Sequence, residues 1–447
     1  MLNFNGSKYM MKGFSRIIVV FCLLFYSLTG FSQEKISYLK AESLTYQYFL
    51  SEKWDSLINT GTETLNADID FFYLRIRLGK AYFEKNNFVK AALHFEKALV
   101  FNSSDSYSLS HLYYSYLNMG RSLDAYSLLK KNITNFDPAI KPIFIKNISA
   151  DAGITYNNSN TNILNLTNGE TTEWSELNLT KNIGFAGLGL SYFVHKNILI
   201  TNYTSTLHID NSKQIRIADE FISDNYHLYQ NDVYVSSKIL VAKGLTIEPA
   251  FHYIWVDFST LFSQFDTSLN KVTMEHKNVY LKNYAASLSA EKRFSYFAIN
   301  VSGAISSLNN ARQRSGGIFF SAYPFGNFNL YSVTRFYYHK ERRDNNFIAE
   351  QKIGGKLHKY LWAEIFGTYG SLKNYTEENA FIVHNINDAI KQRYGASLII
   401  PFKQLRFTLK YQFIRRATNY SYFNEEVKTG ILKYNNHFLM AALAFQF

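Results

Sequence analysis

His437-Phe438-Leu439-Met440-Ala441-Ala442-Leu443-Ala444-Phe445-Gln446-Phe447 ends the chain, and in an extended strand Leu439, Ala441, Leu443, Phe445 and Phe447 share one face. The stretch before it alternates in the same way. Leu405, Phe407, Leu409, Tyr411 and Phe413 fall on one side, Arg406, Thr408, Lys410 and Gln412 on the other. Lipid cannot satisfy a backbone N–H or C=O, so only helices and edgeless barrels cross a bilayer. This chain has period-two alternation where a helical membrane protein carries long apolar runs. A one-residue slip would carry Lys410 into hydrocarbon at about 2–4 kcal/mol, so the register is strongly specified.

Composition agrees. The 447 residues suffice for one large barrel or for two to three soluble domains. Tyr (34) and Phe (38) are abundant while Pro is scarce (5), a balance suited to strands with aromatic girdles, because Pro removes a ladder donor. The net charge of +12 is spread along the chain without a basic block, which argues against a nucleic-acid partner.

Working upstream, strands are expected near 148–157, 183–195, 197–209, 227–239, 243–257, 278–292, 295–307, 311–323, 326–339, 345–357, 360–371, 389–401, 404–417 and 434–447, which makes fourteen. One set of connections is uniformly tight, as at His195-Lys196-Asn197, Ala242-Lys243-Gly244 and Lys403-Gln404. The other set includes long polar stretches at 158–180, 210–226, 258–277, 372–388 and 418–433, expected as external loops, with short exceptions near 308–310 and 340–344. Facing can be read within strands. Ile247, Phe251, Tyr253 and Trp255 should point outward against Thr246, Glu248 and His252, and Ile299, Val301 and Ile305 against Ala298, Asn300 and Ser302. A soluble sandwich or propeller also alternates, but with its apolar face inward.

The N-terminus favours export. Lys8, Lys12 and Arg16 precede the apolar run Ile17 to Leu28, and Gly30-Phe31-Ser32 supplies small residues before Gln33, so residues 1–32 read as a signal peptide. Cys22, the single cysteine, lies inside that run. A mature chain would then have no disulfide and no cysteine-bound metal.

Residues 33–140 read as helical, with a period of 34: Tyr48, Tyr82 and Tyr116 are equally spaced, as are Leu57, Ala91 and Ala125. In the middle copy Gly79, Tyr82, Ala91, Phe95 and Ala98 follow the small-residue and aromatic pattern of the tetratricopeptide repeat, which the segment resembles. These side chains are expected to pack helix against helix. The remaining surface is expected either to bind a peptide or partner protein or to serve as a spacer for the barrel.

No constellation for chemistry emerges: there is no P-loop, no His-x-x-x-His pair and no Gly-x-Ser-x-Gly elbow, so no catalytic, cofactor or metal residue is assigned and no enzyme is expected. Asp151, His208, His252, His339 and His437 qualify by type alone. Lumen-facing cations are more informative. Lys238, Arg335, Lys352, Lys356, Lys391, Arg393, Arg406 and Lys410 outnumber Glu248, Glu350, Glu364 and Asp151. Such a strip either attracts an anionic solute or polysaccharide or ties neighbouring strands together, as Lys352 with Glu364 would.

Taken together, an export signal, a short tetratricopeptide-like solenoid and a transmembrane antiparallel β-barrel of about fourteen strands over 146–447, with Phe445 and Phe447 as its C-terminal signal, describe an α + β chain. The architecture resembles that of bacterial outer-membrane barrels, and in particular the surface lipoprotein assembly modifiers and the larger outer-membrane polysaccharide exporters. The resemblance implies a barrel in the outer membrane of a Gram-negative bacterium, contacting membrane lipid, with its repeats in the periplasm. It further implies a transport or secretion pore whose repeats recruit a periplasmic or secreted protein. The alternative is a non-conducting adhesive surface protein anchored to a periplasmic complex.

Overall fold

The strands close on themselves. The computed structural model describes residues 36–157, 173–266, 268–269, 271–386 and 388–447; the signal-peptide reading of residues 1–32 therefore lies outside the described residues, as does most of the 158–180 stretch. Among the described residues, β1 (Ile145–Asn157), β2 (Trp174–His195), β3 (Ile198–Ile217), β4 (Glu220–Ala242), β5 (Leu245–Asp266), β6 (Lys271–Arg293), β7 (Phe297–Leu308), β8 (Ala311–Ala322), β9 (Leu330–Glu341), β10 (Asp344–His358) and β11 (Leu361–Leu372) run in sequence around one antiparallel barrel. The short strands β12 (Tyr375–Glu377) and β13 (Ile382–His384) stand apart from it, and β14 (Ala389–Phe402), β15 (Leu405–Asn424) and β16 (Glu426–Gln446) complete the wall. β1 meets β16 from Asn147↔Gln446 to Asn157↔Asn436, so the wall has no free edge there. The fourteen-stranded antiparallel barrel is the one expected from the sequence.

The wall is greasy outside. Ile154, Leu188, Leu288, Ile305, Ile318, Phe336, Ile365, Leu409 and Leu439 are all exposed large hydrophobics, while Ala298 and His252, their inward counterparts, are buried. A water-soluble barrel would hide the first set. Tyr229, Trp255, Tyr338, Tyr369 and Tyr411 are exposed near one end of this belt, and Tyr360, Phe402 and Phe447 near the other, as aromatic girdles require.

Strand length departs from expectation. A bilayer needs only about 9–11 tilted residues, yet β3 has 20, β4 has 23, β5 has 22 and β6 has 23. The stretches 210–226, 258–277 and 418–433, expected as loops, are mostly continuations of the ladder beyond the apolar belt, where both faces are wet or internal and alternation fades. Above the end of β14, Tyr420–Phe423 of β15 pair with Trp174–Leu177 of β2. Leu177, Leu179, Leu432 and Tyr434 pack beneath that seam, so the extensions fold across the mouth.

Among the described residues six helices precede the barrel: α1 (Tyr38–Leu50), α2 (Trp54–Asn66), α3 (Phe72–Glu84), α4 (Phe88–Phe101), α5 (Ser106–Asn118) and α6 (Ser122–Lys131). The first residues of α1, α3 and α5 are spaced by 34, and so are those of α2, α4 and α6. Close approach explains the small residues. A Cβ on Gly79 would stand 2.8 Å from the Phe95 ring. Ala91, Phe95, Ala98 and Ala125 are fully buried, Tyr82 stacks on His94 and Tyr116 donates to Glu96 at 2.7 Å, whereas Tyr48 is half-buried in α1.

The helices dock on the tight-turn rim. Gly244 N donates to Asp124 Oδ1 at 3.0 Å, Arg293 donates to Met119 O at 2.8 Å, Asn327 donates to Asn86 O at 3.1 Å and Tyr126 stacks on Phe193 at 3.8 Å. Gly120, at φ +73°, sits where any Cβ would collide with the Phe328 ring. Only glycine serves both demands.

Candidate functional site

The lumen is filled by a hairpin that the sequence reading placed outside. Residues 372–388 turn inward, and β12 pairs with β13 as a separate two-stranded sheet. The stretch carries polar, loop-forming residues because it contacts the polar lining of the barrel.

One side of the hairpin meets the wall it leaves from. Glu377 Oε2 accepts from Arg393 at 3.0 Å and its Oε1 pairs with His384 Nε2 at 2.8 Å. Arg393 also reaches Glu350 Oε2 at 3.1 Å and Thr368 at 3.0 Å. Arg335 joins Glu350 and lies 3.2 Å from Glu378 Oε1. Two wall arginines and three glutamates, two of them from the hairpin, thus form one chain of ion pairs across β9, β10 and β14. Burial makes the pairs of Arg393 costly to leave half-made. Tyr375, fully buried, packs edge-on against Tyr337 at 5.5 Å and His339 at 5.2 Å.

The tip crosses the bore. Asn379 accepts from Ser287 Oγ through both its backbone and its side-chain oxygen at 2.8 Å and donates to Glu248 O at 3.1 Å. His252 Nδ1 lies 2.9 Å from Ala380 O, and Phe381 sits edge-on to Tyr203 and Tyr234 at 4.9 and 5.1 Å. Glu378, Asn379 and Ala380 all have φ between 49° and 62°, a run of left-handed backbone that L-residues resist by about 1–2 kcal/mol each. The tip is held by contacts rather than by preference.

Beside the hairpin a cavity of about 390 Å³ remains, lined by Phe185, Phe381, Ile414, Phe438 and Met440 with Arg393 and Lys410 at its polar side. A second, of about 70 Å³, lies toward the covered mouth between Asn178, Tyr226 and Asn385.

The basic residues named from sequence are distributed unequally. Arg335 and Arg393 sit in the ion-pair chain, and Lys410 lies over the Phe366 ring at 4.9 Å. Lys352 approaches Glu364 at 4.0 Å, and Arg406 is exposed near the Lys403-Gln404 turn. Lys391 is a correction: a β-bulge between Ile390 and Gln392 breaks the alternation, and the side chain is exposed with Ser371 Oγ at 3.1 Å. Of the residues singled out by type, Asp151 accepts from Tyr203 at 2.6 Å, His252 stands 3.3 Å from Asp232, His339 is buried and His437 faces outward beside Tyr411 at 2.9 Å.

Glu377, Glu378, His384 and Tyr375 were missed. Two short alternating runs, Tyr375-Thr376-Glu377 and Ile382-Val383-His384, flank Asn379, and that is a hairpin cue inside an apparent loop.

No protein family matches this chain, and no curated protein does. Among solved structures, the barrel is similar to the Pseudomonas putida toluene transporter TodX at 7% identity and a TM-score of 0.44, covering 69% of this chain and 90% of that one. A TodX deltaS2 mutant, a monoaromatic hydrocarbon channel, gives 8% identity, a TM-score of 0.47 and coverage of 69% and 91%. A point mutant of MamA is similar at 26% identity over 22% of this chain and 71% of that one, with a TM-score of 0.21.

Proposed function

We propose that this chain is a gated transport barrel of the Gram-negative outer membrane, with hairpin 375–384 as its gate and the helices on the periplasmic side. One observation carries the reading: the hairpin is a sheet of its own, bound to the wall through side chains and not through a shared ladder. It can leave without breaking the barrel. Glu377 and Glu378 occupy the basic wall as an anionic cargo would, so a solute or polysaccharide bearing carboxylates or phosphates competes for Arg393 and Arg335 and favours release.

The helices supply a docking surface for a periplasmic or secreted protein. Leu39, Tyr73 and Tyr107, spaced by 34, are exposed at the same position of α1, α3 and α5, forming an apolar column repeated along the array.

Planar-bilayer conductance tests the gate. The purified full chain should conduct rarely, and a variant with residues 375–384 replaced by a Gly-Ser linker should conduct steadily. Silence in both would overturn the reading. The ladder between β15 and β2 across the mouth favours a second reading, a non-conducting surface-binding protein anchored to a periplasmic complex, and the same silence would support it.

A further inference from the structure

A cluster on the outside of the wall plays no part in gating. His208 and Asp210 are two apart on β3 and share its outward face; His227 stands directly across from Asp210 on β4. Asp210 Oδ1 lies 2.8 Å from His227 Nδ1 and 3.1 Å from His208 Nε2, and the ligating atoms of all three fall within 4.8 Å of one another. The two imidazoles stack at 5.1 Å. The geometry points to a binding site for a divalent transition cation, Zn²⁺ or Cu²⁺, held by His208, Asp210 and His227.

The chemistry suits such an ion. Two neutral imidazoles and one carboxylate form a mixed nitrogen and oxygen set for borderline cations, whereas Ca²⁺ and Mg²⁺ want oxygen throughout. Zinc holds such donors at about 2.0–2.2 Å, which sets them roughly 3.3 Å apart around a tetrahedral centre. The separations from Asp210 are already close to that, so small rotations of the rings suffice. β3 is laddered to β4 through His208↔Tyr229 and Asp210↔His227 and to β2 through Gly184↔His208 and Asn182↔Asp210, while the β4–β5 ladder ends at Leu228↔Phe258 beside the site; this backbone frame lowers the cost of ordering the ligands. Asn182, opposite Asp210 on β2, donates to Oδ2 at 3.4 Å and steadies the carboxylate from behind. Three protein ligands leave a coordination position for water.

The site is wet and reachable. His208 lies across from Tyr229, an exposed girdle residue, and at 4.9 Å from its ring. Asp210 and His227 are further from the tight turns than that girdle, and Asp257 is opposite Tyr229 on β5. Side-chain accessibilities of 45% for His208, 34% for Asp210 and 58% for His227 leave room for an ion to enter from solvent.

Calorimetric titration of ZnCl₂ into the detergent-solubilised full chain, stripped with EDTA and free of any histidine tag, tests the assignment. One equivalent should bind at neutral pH and binding should weaken as the imidazoles protonate. His227→Gln and Asp210→Asn should each weaken binding by roughly tenfold or more, and His208→Gln with His227→Gln should abolish it. Cu²⁺ bound to the unmodified chain should show nitrogen coupling from two imidazoles in its paramagnetic resonance spectrum. Heat-modifiable migration on gels confirms that each variant still forms the barrel. Absence of stoichiometric Zn²⁺ binding, or binding unchanged in the folded double variant, would overturn the site.

Discussion

Arg393 on the barrel wall and Glu377 on the inserted hairpin meet at 3.0 Å in a fully enclosed setting, where Glu350 is the arginine's only other acidic partner among the described ion pairs. The pair joins the inserted hairpin to the wall. Removing one partner of a buried pair costs about 3–5 kcal/mol when the remaining charge is left uncompensated, and the loss is smaller here because Glu350 still faces Arg393 at 3.1 Å. Glu377→Gln leaves Arg393 with Glu350 alone and weakens the contact to His384, and is expected to raise the population of the released hairpin by roughly tenfold or more. Hydrogen exchange of residues 375–384 and the open fraction in bilayer recordings should both rise. Exchange as slow as in the unmodified chain would show that the pair does not hold the gate.

A crosslink should do the reverse. Ser287 Oγ and Asn379 Oδ1 are 2.8 Å apart, joining β6 to the tip from the far side of the bore. Cys22 is the single cysteine of the sequence, so a Cys22→Ser background removes any competing thiol. Ser287→Cys with Asn379→Cys is expected to lose conductance under oxidising conditions and to regain it with reductant, while either single substitution is insensitive to both. Conductance indifferent to oxidation in a verified disulfide would mean that ions bypass the hairpin.

The wall was legible in the sequence because lipid imposes one rule on every strand. Leu405, Phe407, Leu409 and Tyr411 must be apolar whatever else the protein does, and the alternation survives in strand after strand. The inserted hairpin was not legible, since a turn lined by polar groups inside a barrel meets nearly the same chemistry as a loop in water; Glu377 and Asn379 suit either. Above the belt the constraint lapses too. Asn211, Ser212 and Lys213 continue β3 without alternation, consecutive polar residues that are all buried beside β2. Arg335 and Arg393 could be named as lumenal cations, but their partners come from a segment whose direction only folding reveals.

Acid should loosen the helices. Burial between Tyr82 and Arg75 lowers the pKa of His94 to about 4 from the usual 6.5, desolvation being the main cause and the Arg75 charge the next. The folded state thus holds the ring neutral while the unfolded chain takes up a proton first. The stabilisation is complete above about pH 6.5 and is lost as pH falls toward 4, a change of about 3 kcal/mol. Helical ellipticity of the full chain, followed against denaturant at pH 7 and pH 4.5, should show the lower midpoint in acid. His94→Gln should remove most of that difference, and a difference undiminished by the substitution would place its origin elsewhere.

The docking of helices onto the rim has its own key. Asp124 accepts from Arg121 at 2.7 Å and from the backbone of Gly244 at 3.0 Å, and both Asp124 and Arg121 are nearly buried. Arg121 lies over the Tyr116 ring at 4.4 Å, so the carboxylate also fixes the packing of α5 on α6. Asp124→Ala strips the arginine of its counter-charge and leaves the Gly244 N–H without an acceptor, a loss of about 3–5 kcal/mol. The barrel ladder does not involve this residue, so heat-modifiable migration should persist. Limited proteolysis should instead cut faster between residues 132 and 144, where the helices join β1, as the array lifts from the turns. Equal protection in both proteins would show that Tyr126 on Phe193 and Asn327 on Asn86 hold the array without the ion pair.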